Sequence, residues 1–123
     1  MIDNTFGKYL KELRLSRSPQ MTQEMLAKAV ERSKMTISQF ENGKNSPPKG
    51  ELLNKIVDSL SLTDNEKSKL LFLAAQSRGS LPSDIEEYFF DNPAICDAIR
   101  AGMNNSKDVD WGKVASFIGD NHE

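Results

Sequence analysis

The feature that most constrains the fold is a pair of short helix-forming segments within MTQEMLAKAVERSKMTISQFENGK, residues 21–44. Thr22 and Ser33 stand where a side-chain cap begins a helix. Gly43 follows Asn42 where a helix commonly ends in a left-handed residue. Apolar residues recur at helical spacing in both segments: Leu26, Ala27, Val30, Ile37 and Phe40. Because helices this short are unstable alone, other segments must pack against them.

Three further helices are expected around this pair, over about residues 4–17, 48–60 and 63–76. Pro48 suits a first helical turn. Thr63 and Glu66 have the spacing of a capping box, in which each side chain bonds the other residue's backbone N–H. The residues expected to face the core are Phe6, Tyr9, Leu10, Leu13, Leu52, Leu53, Ile56, Val57, Leu60, Leu70, Leu71, Leu73 and Ala74.

A break at Arg78–Pro82 is the expected domain boundary, which divides the chain into residues 1–77 and a helical extension over residues 78–123. Beyond it, Ser83–Glu86 predicts a second capping box, and Asn92-Pro93 begins another helix. Asp110 is expected to cap a last helix. The helix after Pro93 is expected to turn four residues inward, and these are Ile95, Ala98, Ile99 and Met103; the last helix carries Val114, Phe117 and Ile118. The chain lacks strand-like alternation, so the predicted fold is all-α with seven to eight helices.

Charge is distributed unevenly along the chain. Residues 1–62 carry ten lysines and arginines against seven acidic residues, a net charge of +3, whereas residues 63–123 carry six against eleven, a net charge of −5. A basic front suits a protein that presents one end to phosphates. The single Cys96 excludes an intramolecular disulfide, and the chain has neither a membrane-length apolar run nor a secretory signal, so we expect a cytoplasmic protein.

Several residues at fixed spacing match a known pattern. They are Arg14; Thr22-Gln23-Glu24 with Leu26-Ala27; Val30; Ser33; Thr36-Ile37-Ser38; Glu41-Asn42-Gly43-Lys44; Pro47; and Leu52 with Ile56. Over about residues 6–62 the chain resembles the phage-repressor-like (Xre-type, Cro/repressor-type) helix-turn-helix family. The resemblance implies a lambda-repressor-like bundle of about five helices, followed here by a small C-terminal extension. It also implies binding to double-stranded DNA, usually as a homodimer that represses transcription from a palindromic operator.

The same resemblance implies roles for individual residues. The positions implied to contact DNA bases are Lys34, Met35, Ser38 and Gln39. The positions implied to contact phosphates are Gln23, Ser33, Asn42 and Lys44. Arg14 and Glu41 match a structural ion pair between the first and third helices. The chemistry agrees, because lysine donates to guanine O6 or N7 and glutamine pairs with both adenine N6 and N7. Phosphate contacts fix register without carrying sequence information.

Glu31 departs from the pattern, because the family usually has glycine at this turn position. Glycine tolerates a positive φ at little cost, so a glutamate there must either carry strain or adopt a different turn. The departure bears on the angle at which the second helix of the pair would dock on DNA.

The function of the C-terminal half is left open between two alternatives. Residues 80–123 could supply homodimerisation, or they could bind another protein, as an antitoxin binds its toxin; sequences such as LPSDIEEYFFDNPAICDAIR resemble tails of some such regulators. Trp111, Phe117 and Ile118 form either local core or this partner surface. We expect no enzymatic activity, metal or cofactor, because the sequence has no nucleophile–base spacing, no phosphate-binding glycine loop and no ligand cluster around its one histidine, His122.

Overall fold

The computed structural model of the protein describes residues 5–105 and 109–120, which contain eight α-helices and no β-strand. The predicted all-α fold class is therefore confirmed. The helices are α1 (Thr5–Leu15), α2 (Gln23–Ala29), α3 (Lys34–Glu41), α4 (Gly50–Leu60), α5 (Asp64–Arg78), α6 (Ser83–Asp91), α7 (Ala94–Asn104) and α8 (Trp111–Asp120). The chain divides into two compact units, Met1–Ile85 and Glu86–Glu123. His122 lies outside the described residues.

The first unit is a bundle in which α3 packs on α1 and α2, while α1 also packs on α5 and α2 on α4. Its core consists of apolar side chains from all five helices: Phe6, Leu10, Leu13, Leu26, Ala27, Val30, Ile37, Phe40, Leu53, Ile56, Val57, Leu60, Leu70 and Ala74. The predicted core residues Tyr9, Leu52, Leu71 and Leu73 are partly buried against this cluster. Burial of this apolar surface is the main term that holds the short helices in place.

Local capping fixes the start of α2 and both ends of α5 as the sequence indicates. The Thr22 hydroxyl accepts a bond from the Met25 N–H at 3.0 Å. At the start of α5, Glu66 Oε1 accepts from the Thr63 N–H at 3.0 Å and the Thr63 hydroxyl accepts from the Glu66 N–H at 3.2 Å, so the capping box is confirmed. Gly79 ends α5 in a left-handed conformation, with φ of 69°.

The start of α4 corrects the prediction at Pro48. The helix begins at Gly50, after an extended Lys49. The Pro48 carbonyl instead accepts a hydrogen bond from Arg78 Nη1 at 3.3 Å, and Gly50 takes a φ of 63°, which a side chain would disfavour. Pro48 therefore belongs to the loop that precedes α4, and its carbonyl joins this loop to the end of α5.

Arg17 joins the ends of three helices. Its Nε donates to the Leu13 carbonyl in α1 at 3.0 Å, and its Nη1 donates to the Leu60 carbonyl in α4 at 3.1 Å. Its guanidinium also pairs with Glu66 in α5, where Nη2 and Oε2 are 2.8 Å apart. Hydrogen bonding from Arg17, followed by that from the Thr63 N–H, lowers the pKa of Glu66 below its ordinary value.

The second unit lacks an enclosed core of its own. None of its described residues, 86–105 and 109–120, is buried. The prediction that Ala98, Ile99 and Met103 face inward is therefore wrong, and Met103 is 76% exposed. Val114, Phe117 and Ile118 of α8 are exposed as well. A unit this small buries only a small fraction of its surface, so its short helices do not enclose a hydrophobic core.

The two predicted caps of this region have different outcomes. Ser83 is already the first residue of α6, so the predicted second capping box, with Ser83 as the cap, does not match the observed helix start. Asp110 does cap α8, because its Oδ1 accepts from the Lys113 N–H at 3.0 Å.

An apolar groove of about 720 Å³ lies between α7 and α8 of the second unit, lined by Ile95, Ile99, Gly102, Met103, Val109 and Trp111. Gly102 allows Trp111 to approach α7 closely, because a Cβ atom at this position would lie 2.9 Å from Cζ2 of Trp111. The indole therefore lies directly on the backbone of α7.

Candidate nucleic-acid interface

The turn between α2 and α3 is short and tightly bonded. Glu31 donates its N–H to the Lys28 carbonyl at 3.2 Å, and Arg32 donates to the Ala27 carbonyl at 2.9 Å. This is the bonding of a Schellman helix end, which requires a left-handed residue at its centre. Glu31 supplies it with φ of 59°. Of the two alternatives for this position, the structure has the strained one, and the turn keeps its short form.

The next helix begins at once. The Ser33 hydroxyl accepts a bond from the Thr36 N–H at 3.2 Å, and the two hydroxyls are 3.0 Å apart. The predicted caps of α2 and α3, Thr22 and Ser33, are thus both confirmed as helix caps. Capping at this point fixes where the face of α3 starts.

The face of α3 opposite the core carries the four residues implied to contact bases. Ile37 and Phe40 are buried, whereas Lys34 is exposed and Met35 is 68% exposed. Ser38 and Gln39 are partly buried beside them. Positions 34, 35, 38 and 39 are one turn apart in pairs, so they share one side of the helix. This side offers a cation, a thioether, a hydroxyl and an amide, which are groups suited to reading base edges.

The end of α3 is a second Schellman motif. Gly43, with φ of 75°, donates to the Phe40 carbonyl at 3.3 Å, and Lys44 donates to the Gln39 carbonyl at 2.9 Å. Asn42 and Lys44, two of the residues implied to contact phosphates, are exposed here. The Asn42 amide also donates to the Ser38 hydroxyl at 3.2 Å.

A buried polar cluster holds α3 against α1 and α2. Arg14 Nε and Nη2 each lie 2.8 Å from a carboxylate oxygen of Glu41, and Arg14 Nη1 donates to the Met21 carbonyl at 2.8 Å. The amide of Gln23 donates to Glu41 Oε1 at 3.0 Å. Gln23, a residue implied to contact phosphate, therefore also belongs to the cluster that fixes the position of α3.

Two residues of this region were missed by reasoning from the sequence. The role of Arg17 has no local signal, since its partners in α4 and α5 lie more than forty residues away along the chain. Asn45 donates its amide N–H to Gln39 Oε1 at 2.8 Å. The position of Gly43 could have predicted the contact between Asn45 and Gln39, because a Schellman end turns the chain back over the last turn of the helix.

Two negative findings apply to residues 5–105 and 109–120. Within these ranges no cluster of histidine, cysteine and carboxylate side chains could hold a metal ion. No helix described there has the length and apolar character to cross a bilayer.

A bundle whose second and third helices meet in a tight turn, with a polar outer face on the third, defines a helix-turn-helix DNA-binding protein. The sequence family described as a helix-turn-helix domain matches residues 5–70, and the chain belongs to this family of Xre/Cro-like DNA-binding domains. The matched range covers α1 to α4 and the first half of α5. Comparison with curated proteins found no significant match.

Proposed function

We propose that the protein is a sequence-specific transcriptional repressor that binds a palindromic operator as a homodimer. The observation that carries this proposal is the outer face of α3. Four side chains able to contact bases lie together on this face, and each end of the helix is fixed by its own cap. Lys34, Met35, Ser38 and Gln39 contact base edges in the major groove in this proposal.

Phosphate contacts come from residues at the helix ends. The outer face of α3 is flanked by the four residues proposed to contact phosphates, which are Gln23, Ser33, Asn42 and Lys44. Phosphate contacts of this kind fix the register and orientation of a protein on DNA. Lys44 supplies a positive charge just past α3, where it is exposed. These contacts make the affinity depend on salt, because binding releases counterions from DNA.

Homodimerisation is supported by the exposed apolar surface of the second unit. Phe90 and Met103 are each 76% exposed, and Ile118 is 64% exposed. Large apolar side chains left exposed in one small unit favour an interaction site there. One recognition helix makes few contacts, and a dimer doubles them on half-sites about 34–36 Å apart.

Mobility-shift measurements at low salt test the proposal, with the DNA upstream of the protein's own gene and a scrambled duplex as competitor. We expect a shift on the upstream DNA that persists against the scrambled duplex, with a protein-to-DNA ratio of two in the complex. Folded protein that binds neither duplex, or both equally, would refute sequence-specific binding.

The dimer surface has its own test. Ile118→Lys combined with Met103→Lys places charges on the exposed apolar surface of the second unit, and we expect a monomer by light scattering. Phe72→Lys is the matched control, since Phe72 is 54% exposed on α5 of the first unit. A dimer unaffected by the double substitution would place the interface elsewhere.

A second candidate is an antitoxin-like protein that binds a partner through residues 80–123 and represses its own operon. The observation that favours it is the combination of exposed apolar groups with an acidic chain, since residues 63–123 carry a net charge of −5. Co-expression with the product of the neighbouring gene separates the two candidates. A stable heterocomplex that the Ile118→Lys, Met103→Lys variant cannot form would favour the second.

A further inference from the structure

The backbone just after α3 folds back over the last turn of the helix. Lys44 and Asn45 both donate their N–H groups to the Gln39 carbonyl, at 2.9 and 3.3 Å. The reversal is possible because Gly43 takes a φ of 75°. As a result, Asn45 lies beside Gln39 although six positions separate the two residues along the chain.

The two amide side chains are joined by a short hydrogen bond. Asn45 Nδ2 donates to Gln39 Oε1 at 2.8 Å. Among the described residues, nothing engages the other end of the Gln39 amide, Nε2. The acceptor end of Gln39 is therefore turned towards Asn45, and the donor end is available for a further partner.

We propose that Asn45 is a positioning residue for base recognition, which holds the Gln39 amide so that its Nε2 donor, and not its Oε1 acceptor, meets the DNA. The proposal rests on the proposed role of Gln39 as a base contact. The proposal predicts that, at the base pair contacted by Gln39, the protein prefers a base with acceptors on its major-groove edge.

Guanine is the base that fits a glutamine held in this way. It presents two adjacent acceptors, O6 and N7, which one N–H₂ group can approach together. Adenine presents N7 beside an N6 donor, so pairing with both groups needs Oε1 and Nε2 at once. The bond to Asn45 occupies Oε1 and disfavours that arrangement. Gln39 thus differs from a free glutamine, which reads adenine.

Substitutions at Asn45 change the direction of the amide in a defined way. In Asn45→Ala the bond is lost and the Gln39 amide is free to rotate. In Asn45→Asp the carboxylate can only accept, so it binds Gln39 Nε2 and turns Oε1 towards the groove. Oε1 then selects a base with a donor, which is adenine through N6 or cytosine through N4.

The experiment selects bound duplexes from a randomised pool with the full chain, and then measures affinities for duplexes that differ at one base pair. Gln39→Ala first identifies the base pair whose preference depends on Gln39. At that position we expect wild type to favour guanine over adenine by about 5- to 150-fold, the range of one good base contact. The ratio should fall towards unity in Asn45→Ala and should invert in Asn45→Asp.

The added charge of Asn45→Asp is controlled in two ways. Each ratio compares two bases on the same variant, so a uniform loss of affinity cancels. Asn54→Asp makes the same chemical change at an exposed position of α4, and it should leave the ratio unchanged.

Three results would overturn the assignment: a wild-type preference for adenine at the Gln39-dependent pair, unchanged ratios in both Asn45 variants, or no pair that depends on Gln39. With any of these, specific binding by wild type would still stand. Absence of sequence-specific binding by wild type would instead refute the proposed function, so the two failures are distinguishable.

Discussion

Arg14 and Glu41 form a bidentate ion pair in which two nitrogen–oxygen contacts are each 2.8 Å long and both side chains are almost fully buried. The pair joins the end of α1 to the end of α3, across 27 positions of sequence. Each charge depends on the other, because either partner alone would be costly to bury.

Breaking this pair on one side should strongly destabilise the fold. We expect Arg14→Met to lower the free energy of unfolding by about 3–5 kcal/mol, since Glu41 then stays buried without its counter-charge. Urea denaturation measures the change. The double variant Arg14→Met, Glu41→Leu removes both charges and should recover much of the loss, and a double variant as unstable as the single one would contradict the explanation.

The left-handed turn residue Glu31 should be a site where glycine stabilises the protein. A non-glycine residue in this conformation costs roughly 1–2 kcal/mol. Glycine removes that cost but loses about 0.5–1 kcal/mol through the greater freedom of the unfolded chain. We therefore expect Glu31→Gly to raise the free energy of unfolding by about 0.5–1 kcal/mol.

Glu31→Ala is the matched control for this turn. Like Glu31→Gly, it removes the exposed ion pair in which Lys55 Nζ and Glu31 Oε2 are 3.4 Å apart. Unlike Glu31→Gly, it keeps a Cβ atom in the left-handed conformation, and with it the strain. Thermal unfolding should rank Glu31→Gly above Glu31→Ala. If the conformation carried no strain, Glu31→Gly would instead be the less stable variant by about 0.5–1 kcal/mol, through the greater freedom of its unfolded chain.

Acid stability should depend on the Arg17–Glu66 pair. The folded pKa of Glu66 lies below the ordinary value of 4.5, so its contribution is fully present above that value. It is lost as the pH falls through the lower folded pKa. Unfolding free energies measured between pH 6 and pH 3, an interval of about three units that spans this window, should fall less steeply in Glu66→Gln than in wild type.

Asp64→Asn is the comparison for this effect, because it removes a negative charge from the same turn of α5 and leaves the Arg17–Glu66 pair in place. Its stability should follow the wild-type dependence on pH. If Asp64→Asn reduces the pH dependence of the unfolding free energy as much as Glu66→Gln does, then general charge repulsion, and not the Arg17–Glu66 pair, causes the loss of stability in acid.

Base and phosphate contacts should be separable by their response to salt and sequence. We expect Gln39→Ala to cost about 1–3 kcal/mol of binding at one base position only. Lys44→Ala should weaken binding to all sequences similarly and reduce the salt slope by about one. Titrations at several salt concentrations on the selected site and a single-base variant measure both, and identical behaviour of the two variants would contradict the assigned roles.

Much of the first unit could be predicted because its signals are local. The Thr22 and Ser33 caps and the Thr63–Glu66 box each depend on residues three positions apart, so the sequence alone displays them. The left-handed end at Gly43 is local in the same sense. Arg17 could not be found this way, because its role depends on α1, α4 and α5 having already packed together.

In the second unit, prediction from the sequence is limited in a different way. Helical periodicity correctly indicates that one side of α7 is apolar, but it does not tell what covers that side. Ile99 and Met103 have the spacing of core residues and are nevertheless exposed. Similarly, α4 starts at Gly50 and not at Pro48, whose carbonyl accepts a hydrogen bond from Arg78, a partner thirty positions away that no local pattern indicates.

The contacts of Arg17 have a consequence for the lifetime of the folded state. Its bonds to Leu60 and Glu66 span 43 and 49 positions, so they complete only after three helix ends have assembled. Interactions absent from the folding transition state slow unfolding while leaving the folding rate nearly unchanged. We therefore expect the contacts of Arg17 to slow unfolding of the domain, which would extend the time that the outer face of α3 survives between unfolding events.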